Sequence, residues 1–263
     1  MVDGRITRGT TATNRLRRTD RWIAGSAAFL TETAPLVVDL GFGHRPWTTT
    51  ELFTRLRRLR PAVQVLGLEI DPDRVRAALP YGGPGLSFAQ GGFDIPLRNP
   101  GPVSVIRAMN VLRQYDEGEV LPAWRLLSGR LRPGGLLVEG TSNETGRVAS
   151  WVSLGRNGPE SFTVSLRLSG LERPSVAAER LPKVLIHRNI PGEPIHQLLT
   201  DLDSAWRHAA PAGTFGPVQR WLATLDRLPE FGWRPEGPRA RRRLGELTLP
   251  WTAVAPVGFD WGG

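Results

Sequence analysis

The chain has 263 residues, with 34 lysines and arginines against 25 aspartates and glutamates, and a formal net charge of +9 at pH 7. A chain of this length can bury a core of its own without covalent cross-links. It contains no cysteine, which excludes disulfides, thiolate metal sites and cysteine nucleophiles. No two of the four histidines lie three or four residues apart, so the paired-histidine zinc motif is absent and we expect no metal site.

Targeting segments are not evident in the sequence. No stretch approaches the roughly 18 uninterrupted apolar residues that a membrane-spanning helix needs. Residues 1–21 alternate charged side chains with threonines and lack the apolar segment of a secretory signal. We therefore expect a cytoplasmic protein that has no membrane partner.

The surplus positive charge is concentrated near the two ends of the chain. Residues 1–21 contain six arginines and two aspartates, and residues 234–243 contain five arginines and one glutamate, so each segment carries +4. This distribution has two explanations between which the sequence does not decide. One is a surface that binds an anionic partner such as RNA, and the other is a general bias of the composition toward arginine.

Short apolar runs alternate with amphipathic segments over residues 36–140. Strands are predicted over residues 36–40, 63–69, 86–90, 103–109 and 136–139. Helices are predicted after the first, second and fourth of these strands; Thr48 to Glu51 fits a capping box, and Asp71 with Pro72 fits a helix start. This alternation predicts a doubly wound α/β fold with a mostly parallel sheet and helices on both faces.

The pattern changes beyond residue 141. Strand-like runs at 148–154 and 161–168 flank the turn sequence RNGP at 156–159, which predicts a hairpin. Helical stretches follow at 194–209 and 216–228, and a last strand is predicted at 244–249. The doubly wound core therefore carries a C-terminal elaboration made of a hairpin and helices.

Candidate binding residues lie at the strand ends, because ligands of open parallel sheets bind beyond the carboxyl ends of the strands. The first strand ends in Asp39 and the turn Gly41-Phe42-Gly43, whose glycines let a ligand approach the backbone closely. Pro46 stands where a dinucleotide fingerprint has its third glycine. The second strand ends in Glu69, a carboxylate that can accept two hydrogen bonds from a ribose diol, or can cap the next helix.

Three of these segments resemble a known family. Residues 37–43 (VVDLGFG), 67–71 (GLEID) and 131–137 (LRPGGLL) are similar, in order and spacing, to the nucleoside-binding motifs of class I S-adenosylmethionine-dependent methyltransferases. The resemblance covers roughly residues 34–140, a little under half of the chain. It implies a Rossmann-like core, S-adenosyl-L-methionine as cofactor and methyl transfer as the reaction.

The resemblance also implies roles for individual residues. Asp39, Gly41 and Gly43 would line the methionine part of the cofactor. Glu69 would hold the ribose hydroxyls, and Ile70 would pack on the adenine.

The sequence departs from the family at the adenine side. Gly92 and Phe93 stand where such enzymes often have an acid and a small residue beside the adenine. The usual side-chain contact to the exocyclic amine is therefore in doubt, and either Asp94 or a backbone group would replace it.

Three residues are candidates for catalysis, although the sequence assigns that role to none of them. Asn110 follows the fourth strand, where family members often place substrate or catalytic groups; it could cap the next helix, contact the cofactor or act on the acceptor. Tyr115 could instead pack in the core. His187 lies close to the single lysine, Lys183, and could instead be an ordinary surface residue.

The sequence therefore predicts an S-adenosylmethionine-dependent methyltransferase whose acceptor, a small molecule or RNA, is unidentified. The alternative is an RNA-binding protein with a vestigial, non-catalytic cofactor pocket, in which arginines 15, 17, 18 and 241–243 contact phosphates. We predict three segments: a basic segment with a lead-in helix (1–33), a cofactor-binding core (34–145), and a C-terminal elaboration (146–263) that completes the sheet and covers the acceptor site.

Overall fold

A single eight-stranded sheet organises the chain, of which this computed structural model describes residues 4–6, 9–97 and 103–262. The strands are β1 Leu36–Leu40, β2 Gln64–Glu69, β3 Leu86–Gln90, β4 Val103–Met109, β5 Leu131–Ser142, β6 Val148–Gly155, β7 Gly158–Leu166 and β8 Glu246–Pro250. Their order across the sheet is β3-β2-β1-β4-β5-β6-β7-β8. Strands β1 to β5 pair in parallel, and β5 to β8 pair antiparallel.

Helices cover both faces of the sheet. The helices are α1 Arg17–Ala24, α2 Ala27–Leu30, α3 Trp47–Arg57, α4 Pro72–Ala78, α5 Glu117–Gly129, α6 Lys183–Ile186, α7 Pro194–His208, α8 Pro217–Arg227 and α9 Arg239–Arg242. Side chains alternate between the two faces of a strand, and Val37 and Val38 of β1 accordingly belong to different hydrophobic clusters. One cluster includes buried residues of α1 to α4 and the other includes those of α5 to α8. The predicted doubly wound fold is confirmed.

The chain reverses direction across the sheet at β1, whose neighbours are β2 on one side and β4 on the other. The chain runs outward from β1 through β2 to β3, and then crosses back to β4 and β5. Such a switch point leaves a crevice at the carboxyl ends of the central strands, where open α/β sheets bind ligands. The topology therefore directs attention to the tips of β1, β2 and β4.

Local sequence signals were correct for α4 and wrong for α3. Asp71 caps α4 by accepting the backbone N–H of Asp73 at 2.9 Å, as the sequence predicted. The capping box at Thr48 is not formed, because α3 begins at Trp47 with no side-chain cap. The carboxylate of Glu51 instead accepts the backbone N–H of Asn14, a residue distant in the sequence, at 2.8 Å.

A buried arginine joins four elements beneath the crevice. Arg107, on β4, is completely buried and donates from Nε to Asp39 Oδ1 at 2.8 Å and from Nη2 to Asp39 Oδ2 at 2.7 Å. Its Nη1 donates to Asp20 of α1, and Nη2 also donates to the carbonyl oxygen of Thr48 in α3 at 3.0 Å. Burial lowers the pKa of Arg107, but Asp39 and Asp20 outweigh that effect and raise it overall, so the guanidinium stays charged.

Removing this charge tests its importance for stability. We expect Arg107→Met to lower the free energy of unfolding by about 3–5 kcal/mol, because Asp39 loses its charged partner and Asp20 keeps only Arg55. Arg76→Met is the matched control, since Arg76 pairs with Asp73 on the surface and both side chains are largely exposed. Denaturant unfolding followed by circular dichroism measures both. Equal stability of the two variants would contradict the role given to Arg107.

A second buried charged residue lies within β5. Glu139 has no exposed surface, and burial raises its pKa to about 8, an effect that the indole of Trp124 partly offsets. The folded chain therefore holds this carboxyl protonated at pH 7, whereas the unfolded chain ionises it near its ordinary pKa of 4.5. Between these two values the unfolded state has fewer bound protons, so stability falls as the pH rises.

The pH dependence of unfolding checks this assignment. We expect the folded chain to lose about 3 kcal/mol of stability between pH 5 and pH 8 through this group, at ~1.4 kcal/mol per pKa unit. Glu139→Gln removes the titrating group, and its stability should change less over the same range. Parallel curves for the original chain and the variant would show that Glu139 does not titrate in this way.

Candidate cofactor site at the strand tips

The turn after β1 forms one wall of the crevice. Gly41 and Gly43 have φ values of 68° and 81°, a left-handed conformation that glycine adopts without steric cost. The backbone N–H of Gly41 donates to the carbonyl oxygen of Leu68 at 2.8 Å, which ties the turn to β2. The turn therefore presents its backbone toward the crevice from a fixed position.

Glu69 stands beside this turn at the tip of β2. It is 1% exposed; its Oε2 accepts the backbone N–H of Gly43 at 2.9 Å, and its Oε1 accepts that of Ile70 at 3.0 Å. Nη1 of Arg74 lies 3.6 Å from Oε2. An ionised carboxylate has about four acceptor positions. The described backbone N–H groups use two of them, and the guanidinium of Arg74 lies beside Oε2.

Asp39 has a different environment from the one that the family resemblance implied. Both of its oxygens accept hydrogen bonds from Arg107, and Oδ2 also accepts the hydroxyl of Thr49 at 2.6 Å. The side chain is 2% exposed and does not line the cavity beside the turn. Its carboxylate is therefore held by Arg107 and Thr49 beneath the turn.

A cavity of about 650 Å³ opens between the turn and the tip of β4. Gly41 and Asn110 are the predicted cofactor residues that line it. Thr10 and Thr11 of the N-terminal segment lie on another side of it, and Met109 contributes from the end of β4. The cavity thus corresponds to the side of the site where the methionine part of the cofactor and the acceptor were expected.

Asn110 connects the tips of β4 and β5. Its φ is 64°, and its backbone N–H donates to the carbonyl oxygen of Gly140 at 2.7 Å. Its Oδ1 accepts the backbone N–H of Ser142 at 2.9 Å, while Nδ2 donates to Ser142 Oγ at 3.2 Å. Because the amide has two N–H groups, one hydrogen of Nδ2 remains for a ligand in the cavity.

The predicted adenine side is apolar and tightly packed. The rings of Phe93 and Tyr115 are both buried, with centroids 5.4 Å apart. The backbone N–H of Gly92 donates to Asp94 Oδ1 at 3.1 Å, so this carboxylate oxygen is used in a local turn. Ile70 is half-buried beside the same region.

Described residues of the N-terminal segment lie over this side, and we call residues 4–6 and 9–16 the strap. A side-chain carbon added to Gly4 would lie 2.6 Å from Cδ1 of Ile70. The backbone N–H of Arg5 donates to the hydroxyl of Tyr115. A side-chain carbon on Gly43 would lie 2.5 Å from the carbonyl oxygen of Gly9. The described part of the strap therefore covers Ile70, Tyr115 and the glycine turn.

The structure brings together only part of the predicted catalytic set. Asn110 lines the cavity, whereas Tyr115 lies buried under the strap on the adenine side. His187 is exposed after the end of α6 and does not line the cavity.

Several residues of the site were not identified from the sequence. Arg107 holds Asp39, and the sequence feature that could have identified it is a charged residue inside the mostly apolar strand at 103–109. Arg113 and Arg180 line the cavity, and no local pattern pointed to either of them.

Two further properties of the described residues bear on ligands. Within residues 4–6, 9–97 and 103–262, no three histidine, aspartate or glutamate side chains come close enough together to hold a metal ion. None of the helices in these ranges is both long enough and apolar enough to cross a membrane.

Comparison with known proteins gives matches in structure alone. No protein-family model matches the chain, and no curated protein matches it in sequence. The complex of the Haloferax volcanii methyltransferase activator Trm112 with a methyltransferase is 23% identical, covers 48% of this chain and 52% of the matched chain, and has a TM-score of 0.37. Magnesium protoporphyrin IX methyltransferase from Synechocystis PCC 6803, with bound SAH, is 17% identical over 47% and 54% of the two chains, with a TM-score of 0.36. The cyclase SpnF is 20% identical over 47% and 44%, with a TM-score of 0.37.

These matches are limited in extent, because the chain spans about half, or less, of the length of the solved structures it matches. The fold itself rests on the strand order, the parallel core and the glycine turn at the switch point. The chain therefore has a Rossmann-like α/β fold, which is the fold that the resemblance implied.

Proposed function

We propose that the chain is an S-adenosylmethionine-dependent methyltransferase that binds the nucleoside of its cofactor at the tip of β2. The observation that carries this proposal is the carboxylate of Glu69. It is fixed beside the glycine turn by the N–H groups of Gly43 and Ile70, and it keeps acceptor capacity for a ribose diol.

The residues present fit the rest of the cofactor. Gly41 allows close approach to the methionine part, and Asn110 offers one N–H at the cavity wall. Ile70 and Phe93 supply apolar surface for the adenine. When bound, the cofactor supplies a methyl group on a sulfonium, which is already activated for displacement.

The protein's main task in this reaction is alignment. Holding two reactants in line can lower the activation free energy by roughly 7–11 kcal/mol. Asn110 is suited to this task because its side chain is fixed by two hydrogen bonds to Ser142 at the cavity wall. We assign it a positioning role and assign no general base.

Cofactor entry requires the first residues of the strap to move away from Tyr115 and the glycine turn, while Arg15 stays bonded to Ser142. Arg5 pairs with Glu119 at 2.7 Å, but both side chains are substantially exposed, and such pairs contribute little to stability. The glycines at positions 4 and 9 add no side-chain contacts of their own. We propose that residues 4–6 and Gly9 shift outward when the nucleoside binds.

The three-segment division predicted from the sequence remains a proposal, as does a cytoplasmic location. The C-terminal segment contributes Arg180 to the cavity. The hydroxyl of Ser150 donates to the carbonyl oxygen of Arg180 at 2.5 Å, which fixes that backbone on the sheet. These contacts support the view that residues after 146 cover the acceptor side.

The alternative, an RNA-binding protein with a vestigial pocket, has less support from the described contacts. Arg18 donates to Ser165 Oγ at 3.1 Å and to the carbonyl oxygen of Leu244 at 2.9 Å. Arg241 donates to two carbonyl oxygens of α1, each at 3.0 Å. These arginines hold the two ends of the chain together, so fewer of them remain to contact phosphates.

Binding of S-adenosylhomocysteine tests the proposal. We expect saturable binding by calorimetry, and we expect Glu69→Ala to weaken it at least tenfold, because charge-assisted hydrogen bonds contribute about 1.5–3 kcal/mol each. Glu69→Gln keeps one acceptor and should give an intermediate affinity. Asp73→Ala, an exposed carboxylate in the next helix, is the control and should bind like the original chain.

Circular dichroism of each variant establishes that it is folded before its affinity is compared. The proposal fails if the folded original chain shows no binding at millimolar ligand. It also fails if Asp73→Ala and Glu69→Ala weaken binding equally.

A further inference from the structure

The cavity beside the glycine turn has an unbalanced charge. Arg15, Arg113 and Arg180 line it, and they come from three distant parts of the sequence. Among the described residues that line the cavity, Glu144 is the one carboxylate, and it is exposed at the rim. The wall therefore carries two more positive than negative charges.

Arg180 is the least neutralised of the three arginines. Its carbonyl oxygen accepts the hydroxyls of Thr141 and Ser150, each at 2.5 Å, so its backbone is fixed. Within the described residues its guanidinium has neither a hydrogen-bond acceptor nor an ion-pair partner, and its Nε is fully buried. A buried donor without a partner is costly, so this position favours a ligand that can accept a hydrogen bond.

Arg113 lies close to Arg180. Its Nη1 donates to the carbonyl oxygen of Glu179 at 3.1 Å, one residue before Arg180. Burial lowers the pKa of Arg113, and the charge of Arg180 lowers it further. The two guanidinium groups therefore repel each other, and an anion between them would relieve the repulsion.

Arg15 is held more firmly by the protein. Its Nη1 donates to the carbonyl oxygen of Thr10 at 2.6 Å, and its Nη2 donates to that of Ser142 at 3.2 Å. Burial lowers its pKa; Glu144 opposes this effect and Arg180 adds to it. Arg15 thus fixes the strap to β5, which leaves Arg113 and Arg180 as the arginines available to a ligand.

We propose that this cavity binds a small anionic molecule through Arg113 and Arg180, and that a carboxylate or phosphate group of the methyl acceptor is that anion. Naming the anion as part of the acceptor rests on the proposed function. The cofactor alone does not neutralise the wall, because its sulfonium and ammonium charges outnumber its single carboxylate. The acceptor is therefore the source of the compensating negative charge.

The shape of the cavity favours a small molecule over RNA. Its volume of about 650 Å³ lies within the range of small-ligand pockets. Strap residues 9–11 line it together with Arg180, so its arginines lie around a cavity that the strap helps to wall. A polynucleotide would need an open groove along the surface to place successive phosphates.

Titration of the full chain with defined anions tests this inference. Three probes are used: inorganic phosphate, succinate, and a single-stranded RNA of about ten nucleotides. That RNA length is in the range that one single-strand binding site covers. We expect phosphate or succinate to bind saturably, and the tighter of the two identifies the chemical group. Arg180→Gln and Arg113→Gln should each weaken that binding at least fivefold.

Arg156→Gln is the matched control, because Arg156 is exposed in the turn between β6 and β7 and does not line this cavity. It should change the affinity less than twofold. The inference is overturned if neither small anion binds saturably, if the control weakens binding as much as Arg180→Gln, or if RNA alone binds and does so independently of Arg180.

Repeating the titration with S-adenosylhomocysteine present separates this inference from the proposed function. We expect the anion still to bind when S-adenosylhomocysteine is saturating. Mutual exclusion would overturn the inference, since the arginines would then hold the carboxylate of the cofactor. If S-adenosylhomocysteine does not bind at all, the proposed function fails, and the role of the anion as part of the methyl acceptor fails with it. Binding of phosphate or succinate to Arg113 and Arg180 would still be tested by the titration without S-adenosylhomocysteine.

Discussion

The buried guanidinium of Arg107 fixes the tip of β1 beneath the crevice to helix α1, which follows the strap. It pairs with Asp39, two residues before the glycine turn, and with Asp20 in the helix to which the strap leads. An unpaired charge in this position would be strongly destabilising. The tip of β1, the first turn of α3 and helix α1 are therefore held in one arrangement. The strap before α1 contacts the crevice through Gly4, Gly9 and the N–H of Arg5, and Arg15 bonds it to Ser142.

Periodicity and local turn chemistry were sufficient to predict most of the fold. The alternation of strands and helices over residues 36–140 depends on short-range patterns, and so does the cap at Asp71. The capping box at Thr48 failed for a long-range reason. Its glutamate, Glu51, is bonded to Asn14, 37 positions earlier, and no local pattern contains that contact.

Those residues of the site that lie at strand ends could be predicted, because the carboxyl ends of parallel strands lie at the same edge of the sheet. The sequence therefore identified Glu69, Gly41 and Asn110 as neighbours of one crevice. The environment of Asp39 depends on Arg107, 68 positions away, and Arg180 reaches the cavity from a segment with no regular pattern. Both depend on tertiary contacts that pair charges across the fold, and propensity and periodicity do not encode such contacts.

The two sides of the crevice differ in charge, since Glu69 lies at the tip of β2 and three arginines line the cavity beside Asn110. A crystal structure of the full chain grown with saturating S-adenosylhomocysteine tests this account most directly. The account predicts ribose hydroxyls on Glu69, and it predicts that residues 4–6 and Gly9 have moved away from Ile70 and Gly43. A ligand bound elsewhere on the chain, with the strap still seated on the glycine turn, would contradict it.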